Sequence, residues 1–163
     1  MEFDKKLIDS IGAKFKDNNT SIAVAESVTA GLLQAAFSNA ASASLFFQGG
    51  ITAYNIGQKC RHLLVEPLHA MECNCVSQKI AVEMSKNACQ LFVSDYGIGI
   101  TGYAARMPEK DVHELFAFYA ITSKDKILQQ GKIMADVEEG LEAQLFYVND
   151  VLQKLDSVLA AGE

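Results

Sequence analysis

The chain has 163 residues, half of them hydrophobic and 21% charged, with a formal net charge of −6. Its length suits a single domain that buries roughly two-thirds of its unfolded surface. An acidic balance with no dense Lys/Arg stripe excludes a nucleic-acid binder, and apolar runs far short of the ~20 residues needed to cross a bilayer exclude a membrane protein.

The first residues, Met1-Glu-Phe-Asp-Lys-Lys, begin acidic and lead into a helix rather than a signal peptide, so the expected location is cytoplasmic. Phe3, Leu7, Ile8, Ile11 and Phe15 share one face of a helix over residues 3–17. Asn18-Asn19-Thr20 breaks it, and Ser21–Ala25 reads as a buried strand. A helix from about Thr29 to Ser38 follows, and the small residues Ala40 to Ser44 turn the chain into a strand over Leu45–Tyr54. Gly57–Leu64 reads as a short helix, and Pro67 opens another brief turn. Ser77 is a good N-cap for a helix through Phe92, with Ile80, Met84, Ala88 and Leu91 toward the core.

Asp95–Thr101, His113–Thr122 and Ile127–Ala135 read as three further strands. Only Ser123-Lys-Asp-Lys126 joins the last two, too short for a parallel crossover, so that pair is antiparallel. A closing helix from about Val137 to Leu159 repeats Leu141, Leu145, Val148, Leu152, Leu155 and Leu159. The economical architecture is α/β: a three-layer α/β/α domain over residues 1–163 with a mixed, partly antiparallel sheet. Phe146 and Val151 fall off the leucine face and offer a surface for a symmetric dimer.

Chemistry concentrates in two stretches. Ser21-Ile-Ala-Val-Ala-Glu26-Ser27 is an apolar run ending abruptly at a strand-to-helix junction. A serine there sits beside backbone N–H groups that lack intrahelical partners, where a nucleophile and an oxyanion hole can share one turn. The second stretch carries Tyr54 and Lys59, five residues apart. Serine with lysine is one of the few pairings that activates a hydroxyl without histidine. Lys59 must then be neutral, so its surroundings must lower an ordinary pKa of ~10.4 by about two to three units. Each residue also has a plainer reading: Ser27 as a helix N-cap, Lys59 as a solvated lysine, Tyr54 as a core aromatic, and Glu26 as a group that holds backbone.

Gly97-Ile-Gly99-Ile-Thr-Gly102 matches the dinucleotide fingerprint literally, but its glycines lie in a strand with no helix after it. A strand lightened to pass close under a helix or ligand suits it better. Thr101 and Gly102 end that strand, where ligands sit in such sheets. Cys60, Cys73, Cys75 and Cys89 read as reduced thiols. Cys73-Asn-Cys75 with His62 and His69 lacks zinc spacing and a second ligand pair, so no metal is expected.

Taken together, Glu26-Ser27-Val28-Thr29-Ala30-Gly31, Gly49 through Lys59, Val76-Ser77 and Thr101-Gly102-Tyr103-Ala104 resemble the motifs of the CinA C-terminal domain family. That family reads Glu-Ser-x-Thr-Gly-Gly, Gly-Gly-x-x-x-Tyr-x-x-x-x-Lys, Val-Ser and Thr-Gly-x-Ala-Gly-Pro, in register from about residue 5 to about residue 159. Its stand-alone members are nicotinamide-nucleotide amidases. The resemblance implies an amidohydrolase that converts nicotinamide mononucleotide or a related carboxamide to the acid and ammonia. Ser27 would attack, Lys59 would take its proton, Tyr54 would orient Lys59 or relay a proton, and N–H groups starting the next helix would hold the oxyanion. Glu26, Thr29, Ala30, Gly31, Gly50, Thr101 and Gly102 would surround the substrate. No metal or organic cofactor is implied; a homo-oligomer is.

The departures are equally specific. Ala30 replaces a family glycine. A glycine-rich loop is replaced by Ala104-Ala105-Arg106-Met-Pro-Glu-Lys110-Asp-Val-His-Glu, which is shorter. Where relatives read Gly-Asp-Arg-x-x-Val-Arg, this chain has Ala135-Asp136-Val137-Glu-Glu-Gly-Leu141, so both arginines are gone. Either Arg106 and Lys110 replace them, with Arg106 expected to bind a substrate phosphate, or phosphate is no longer bound. The rival to an enzyme is therefore a non-hydrolytic ligand-binding or regulatory module.

Overall fold

The computed structural model describes residues 2–162. Its five strands are β1 (Ile22–Glu26), β2 (Phe47–Thr52), β3 (Tyr96–Gly102), β4 (Leu115–Ser123) and β5 (Lys126–Ala135), in one sheet of order β2-β1-β3-β4-β5. β1 runs parallel to β2 and β3, whereas β4 is antiparallel to β3 and β5. The helices are α1 (Lys5–Asp17), α2 (Leu32–Ser38), α3 (Ile56–Leu63), α4 (Pro67–Glu72), α5 (Gln78–Phe92) and α6 (Leu141–Ala161). This is the expected three-layer arrangement around a mixed sheet.

Strand alternation divides the core in two. Ile22 and Val24 of β1, with Ile98 and Ile100 of β3, pack against α1, α2 and α6. Ala23 and Ala25 face the opposite way, onto Ile80, Met84 and Ala88 of α5. Large residues on one side and small ones on the other let α5 lie close to the sheet. β3 carries this furthest: a Cβ on Gly97 would come within 2.3 Å of the Ser85 carbonyl oxygen, and one on Gly99 within 2.2 Å of that of Ala81. The run of glycines therefore serves close helix–sheet packing.

Several boundaries and faces depart from the sequence reading. α2 begins at Leu32 rather than Thr29, because Ala30 and Gly31 are both left-handed, at φ 51° and 98°. α6 begins at Leu141, after Gly140 breaks the chain at φ 76°. Leu141, at the start of α6, and Leu91, near the end of α5, lie exposed rather than in the core. α6 is instead buried along Ala143, Tyr147, Val148, Val151, Leu152, Leu155 and Leu159, a stripe wide enough to meet α1, α2, β4 and β5. Val151 is thus core, and Phe146 is half-buried against the same cluster, so neither offers the free dimer surface expected of it. No helix among the described residues is long and apolar enough to cross a membrane.

Candidate active site

The chain leaves β1 into α2 on one face and leaves β2 into α3 on the other. Neighbouring strands whose connections part in this way open a crevice at their carboxyl ends. A cavity of about 770 Å³ lies there, bounded by Ser27 and Val28 after β1, Tyr54 to Lys59 after β2, and Thr101 to Ala105 at the end of β3 and just beyond it. Loops from the α4–α5 connection and the start of α6 complete its walls.

Ser27 is 7% exposed and Lys59 only 2%. The Lys59 ammonium donates to Ser27 Oγ at 2.9 Å and to the Tyr54 carbonyl oxygen at 3.3 Å. Asn55 caps α3 by accepting from the Gln58 N–H, which fixes the turn that aims Lys59 inward. Burial lowers the Lys59 pKa from the ordinary lysine value, an effect that the nearby Cys75 and Cys60 thiols partly offset. Tyr54 is placed otherwise than expected. Its side chain is 74% exposed at the cavity rim, past the end of β2, and its backbone oxygen, not its phenol, meets Lys59.

Glu26 belongs to the scaffold. It is fully buried, and its carboxylate accepts from the Thr29 hydroxyl and from the N–H groups of Gly31 (3.1 Å), Leu33 (3.0 Å) and Gln34 (2.8 Å). This is an N-cap supplied from the preceding strand. Glu26, Thr29, Ala30 and Gly31 therefore build the turn and do not line the cavity. Gly50 is likewise structural, since a Cβ there would meet Gln34 and Val24 side chains at 2.6 Å. The capping also corrects the expected oxyanion donors. The N–H groups that open α2 are filled by Glu26, and those of Ala30 and Leu32 by the Ser27 and Thr29 carbonyls. Among the described residues the Val28 and Thr29 N–H groups make no hydrogen bond, and Val28 lines the cavity beside Ser27. Gln144 of α6, which carried no sequence signal beyond a polar side chain on an apolar helix, donates to the Val28 carbonyl at 2.9 Å and steadies this turn.

Thr101 and Gly102 do reach the cavity. The Thr101 hydroxyl donates to the Cys75 carbonyl at 2.8 Å, so it holds the α4–α5 loop. In that loop Asn74 and Cys75 are both left-handed, at φ 51° and 59°, a costly conformation for residues other than glycine. Asn74 Nδ2 also donates to the Tyr103 hydroxyl at 3.1 Å, joining two walls. The buried Cys75 thiol faces the same space, its pKa raised by burial and drawn back by Lys59. No grouping of three or more His, Cys, Asp or Glu suited to a metal occurs among the described residues.

Arg106 does not point into the cavity. Its guanidinium binds Glu139 at 3.0 Å and the His113 carbonyl at 3.2 Å. Glu139, accepting from both the backbone and side chain of Arg106, has its pKa lowered. Lys110, from the same loop, does line the cavity.

Comparison with known proteins agrees with this architecture. The family model described as the CinA C-terminal domain matches residues 4–134. A competence-damage inducible protein of Natranaerobius thermophilus is 34% identical over 146 residues, covering 86% of this chain and 35% of its own length. One from Streptococcus pneumoniae is 36% identical over 101 residues, covering 62% of this chain and 24% of its own. The chain thus spans about a third or less of the curated relatives it matches. Among solved structures, a CinA superfamily protein from Klebsiella pneumoniae superposes with a TM-score of 0.89 at 23% identity, covering 96% of this chain and 98% of its own. A competence or damage-inducible protein from Enterobacter asburiae gives 0.89 at 20% identity, over 98% and 99%. At those identities the structures speak to fold alone.

Proposed function

This chain belongs to the family of CinA C-terminal domains, and from that premise we propose that it is a serine amidohydrolase acting on a nicotinamide nucleotide or a related carboxamide. One observation carries the reading: the Lys59 nitrogen, almost wholly buried, lies 2.9 Å from the Ser27 hydroxyl oxygen. Burial of a lysine with no carboxylate partner among the described residues lowers its pKa and brings the neutral form within easier reach. In that form the Ser27 hydroxyl donates to the Lys59 lone pair, which is the hydrogen bond that general-base activation requires.

The steps then follow. Ser27 Oγ attacks the amide carbon as its proton passes to Lys59. The Val28 N–H, adjoining the nucleophile, is the donor available to the developing oxyanion. Collapse returns the Lys59 proton to the departing nitrogen, releasing ammonia and leaving an ester on Ser27. Water, deprotonated by the same lysine, attacks the ester; the carboxylic acid leaves and Ser27 recovers its proton.

The test is ammonia release from nicotinamide mononucleotide by the unmutated protein, Ser27→Ala, Lys59→Met and the double variant. Each single variant is expected to lose several orders of magnitude, and the double variant little more, because nucleophile and base act as a unit. An undiminished rate in Ser27→Ala would remove the mechanism. A second reading, a ligand-binding module without turnover, draws on the replacement of both family arginines and the engagement of Arg106 by Glu139. Tight nucleotide binding with no ammonia released would favour it.

A further inference from the structure

Hydrogen bonds hold most of the turn that carries Ser27. The Ser27 N–H donates to the Ile100 carbonyl at 3.1 Å, and the Ala30 N–H to the Ser27 carbonyl at 3.1 Å. The Val28 carbonyl has a single partner among the described residues, the Gln144 side chain at 2.9 Å. The Val28 N–H is open and is the one backbone donor that this turn presents to the cavity. Sites that stabilise an oxyanion combine preorganised donors from backbone and side chains, so a single N–H leaves the charge underserved.

Gln144 has the chemistry to add a second. A side-chain amide nitrogen carries two N–H groups. One meets the Val28 carbonyl, an acceptor that also settles which end of the amide is nitrogen. The other makes no hydrogen bond among the described residues, and Gln144 lines the cavity beside Val28 and Ser27. The spacing permits a shared ligand atom. Within one residue the backbone nitrogen and carbonyl oxygen lie ~2.7–3.6 Å apart, so Gln144 Nε2, 2.9 Å from that oxygen, is within about 6.5 Å of the Val28 nitrogen. Two donors that each lie ~2.7–3.1 Å from one oxyanion are at most about 6 Å apart.

The surroundings suit developing negative charge. α6 starts without a side-chain cap, and Gly140 before it also lines the cavity, so the positive end of this helix lies nearby. No aspartate or glutamate lines the cavity. The Gln144 N–H donates to the Gly140 carbonyl at 3.1 Å, which fixes its backbone in the first turn of α6.

We infer that Gln144 is a catalytic residue, the second donor of the oxyanion site, which pairs its free Nε2–H with the Val28 N–H. The inference rests on the reading of Ser27 as nucleophile. A glutamine that merely filled the Val28 carbonyl would be structural, and experiment separates the two roles.

The unmutated protein, Gln144→Met and the isosteric Gln144→Glu are compared after thermal melts confirm that each is folded. The first assay is ammonia release from nicotinamide mononucleotide. In both variants kcat should fall about a hundred- to a thousandfold, as for a deleted oxyanion donor, with KM within about threefold, because the interaction exists only in the transition state. The second assay needs no turnover and measures the affinity of pyridine-3-boronic acid by calorimetry, with boron-11 NMR to identify the adduct. Ser27 Oγ bonds to the trigonal boron as its proton passes to Lys59, and the tetrahedral boronate anion places an oxygen where the oxyanion forms. Both variants should weaken this adduct by a similar factor, and Ser27→Ala should abolish it. Gln144→His, which offers an N–H at comparable reach, should recover part of both losses. A lowered melting temperature beside unchanged kcat and boronate affinity would make Gln144 structural and overturn the inference. Hydrolysis that needs Ser27 but is indifferent to both Gln144 variants overturns it and leaves the amidase reading standing. A Ser27 boronate adduct weakened by both variants, in a protein that releases no ammonia, sustains it and fells that reading. Neither hydrolysis nor adduct in the unmutated protein overturns both.

Discussion

Replacing Glu26 by glutamine tests whether this residue is scaffold or chemistry. Its Oε2 accepts from the Thr29 hydroxyl and the Gly31 and Leu33 N–H groups, while Oε1 accepts from the Gln34 N–H at 2.8 Å. A glutamine can keep the first three on its carbonyl oxygen only by turning its NH₂ toward the Gln34 N–H, donor against donor. The loss is one charge-assisted bond of ~1.5–3 kcal/mol and the attraction of a carboxylate to the start of α2, ~0.5–2 kcal/mol. Together they predict a destabilisation of about 2–5 kcal/mol, or a melting temperature lower by about 4–20 °C for a domain of this size. Urea titration and thermal melts would measure it. Because Glu26 is fully buried and outside the cavity lining, kcat/KM well below the melt should fall far less than the ~10²–10⁴ typical of a lost acid–base group. An unchanged melt beside a loss of that size would return Glu26 to the reaction and refute the capping argument.

Two further outcomes follow from the same packing. Burial lowers the Lys59 pKa, so kcat/KM should rise with pH to a plateau whose midpoint lies below the ~10.4 of free lysine. Between the lowered folded value and the unfolded value the unfolded Lys59 binds more protons, so its own contribution to stability climbs with pH across that window, and Lys59→Met should make the slope in denaturation series less positive by that contribution. Gly99→Ala would drive a methyl against the Ala81 carbonyl at 2.2 Å, backbone that cannot swing aside. A loss of about 3 kcal/mol or more is expected, at the upper end for overpacking, and a denaturation midpoint within error of the parent would contradict it.

The elements were legible where periodicity and caps agree. Ser77 accepts from the Ile80 N–H and opens α5 as expected, and the four-residue joint at Ser123–Lys126 does fold as a hairpin. What escaped was contact between segments distant in sequence. Glu26 reads from the sequence as a group that holds backbone, and it does so; what no local signal gave was its reach across the turn to the N–H groups of Gly31, Leu33 and Gln34. The Tyr54 phenol was misjudged for a similar reason: spacing to Lys59 placed the residue correctly, but β2 ends at Thr52 and the ring swings to solvent. Ser27 and Lys59 were legible as a pair because the chemistry that would use them demands both residue types together. Val151 was misread because a heptad-like leucine count understates a helix buried on a wide stripe.

The two stretches that depart from the family pattern are joined to each other. Arg106, from the shortened loop, bonds to Glu139, from the turn that replaced both arginines, through its backbone N–H and its guanidinium. The Gly140 N–H donates to the Ala104 carbonyl at 2.7 Å and draws the same segments together. Val137, at one former arginine position, packs against the apolar core, while Leu141, at the other, opens α6. Arg106 and Glu139 thus tie these two segments of the cavity wall together, and the Arg106 cation is spent on cohesion. The facing wall, with Ser27 and the Tyr54–Lys59 turn, keeps its family residues in hydrogen-bonded contact. A coupled change confined to one wall alters what the far end of a ligand meets and leaves the reacting end alone. On the amidase reading proposed above, such a wall would bear on specificity before it bore on the chemistry at Ser27.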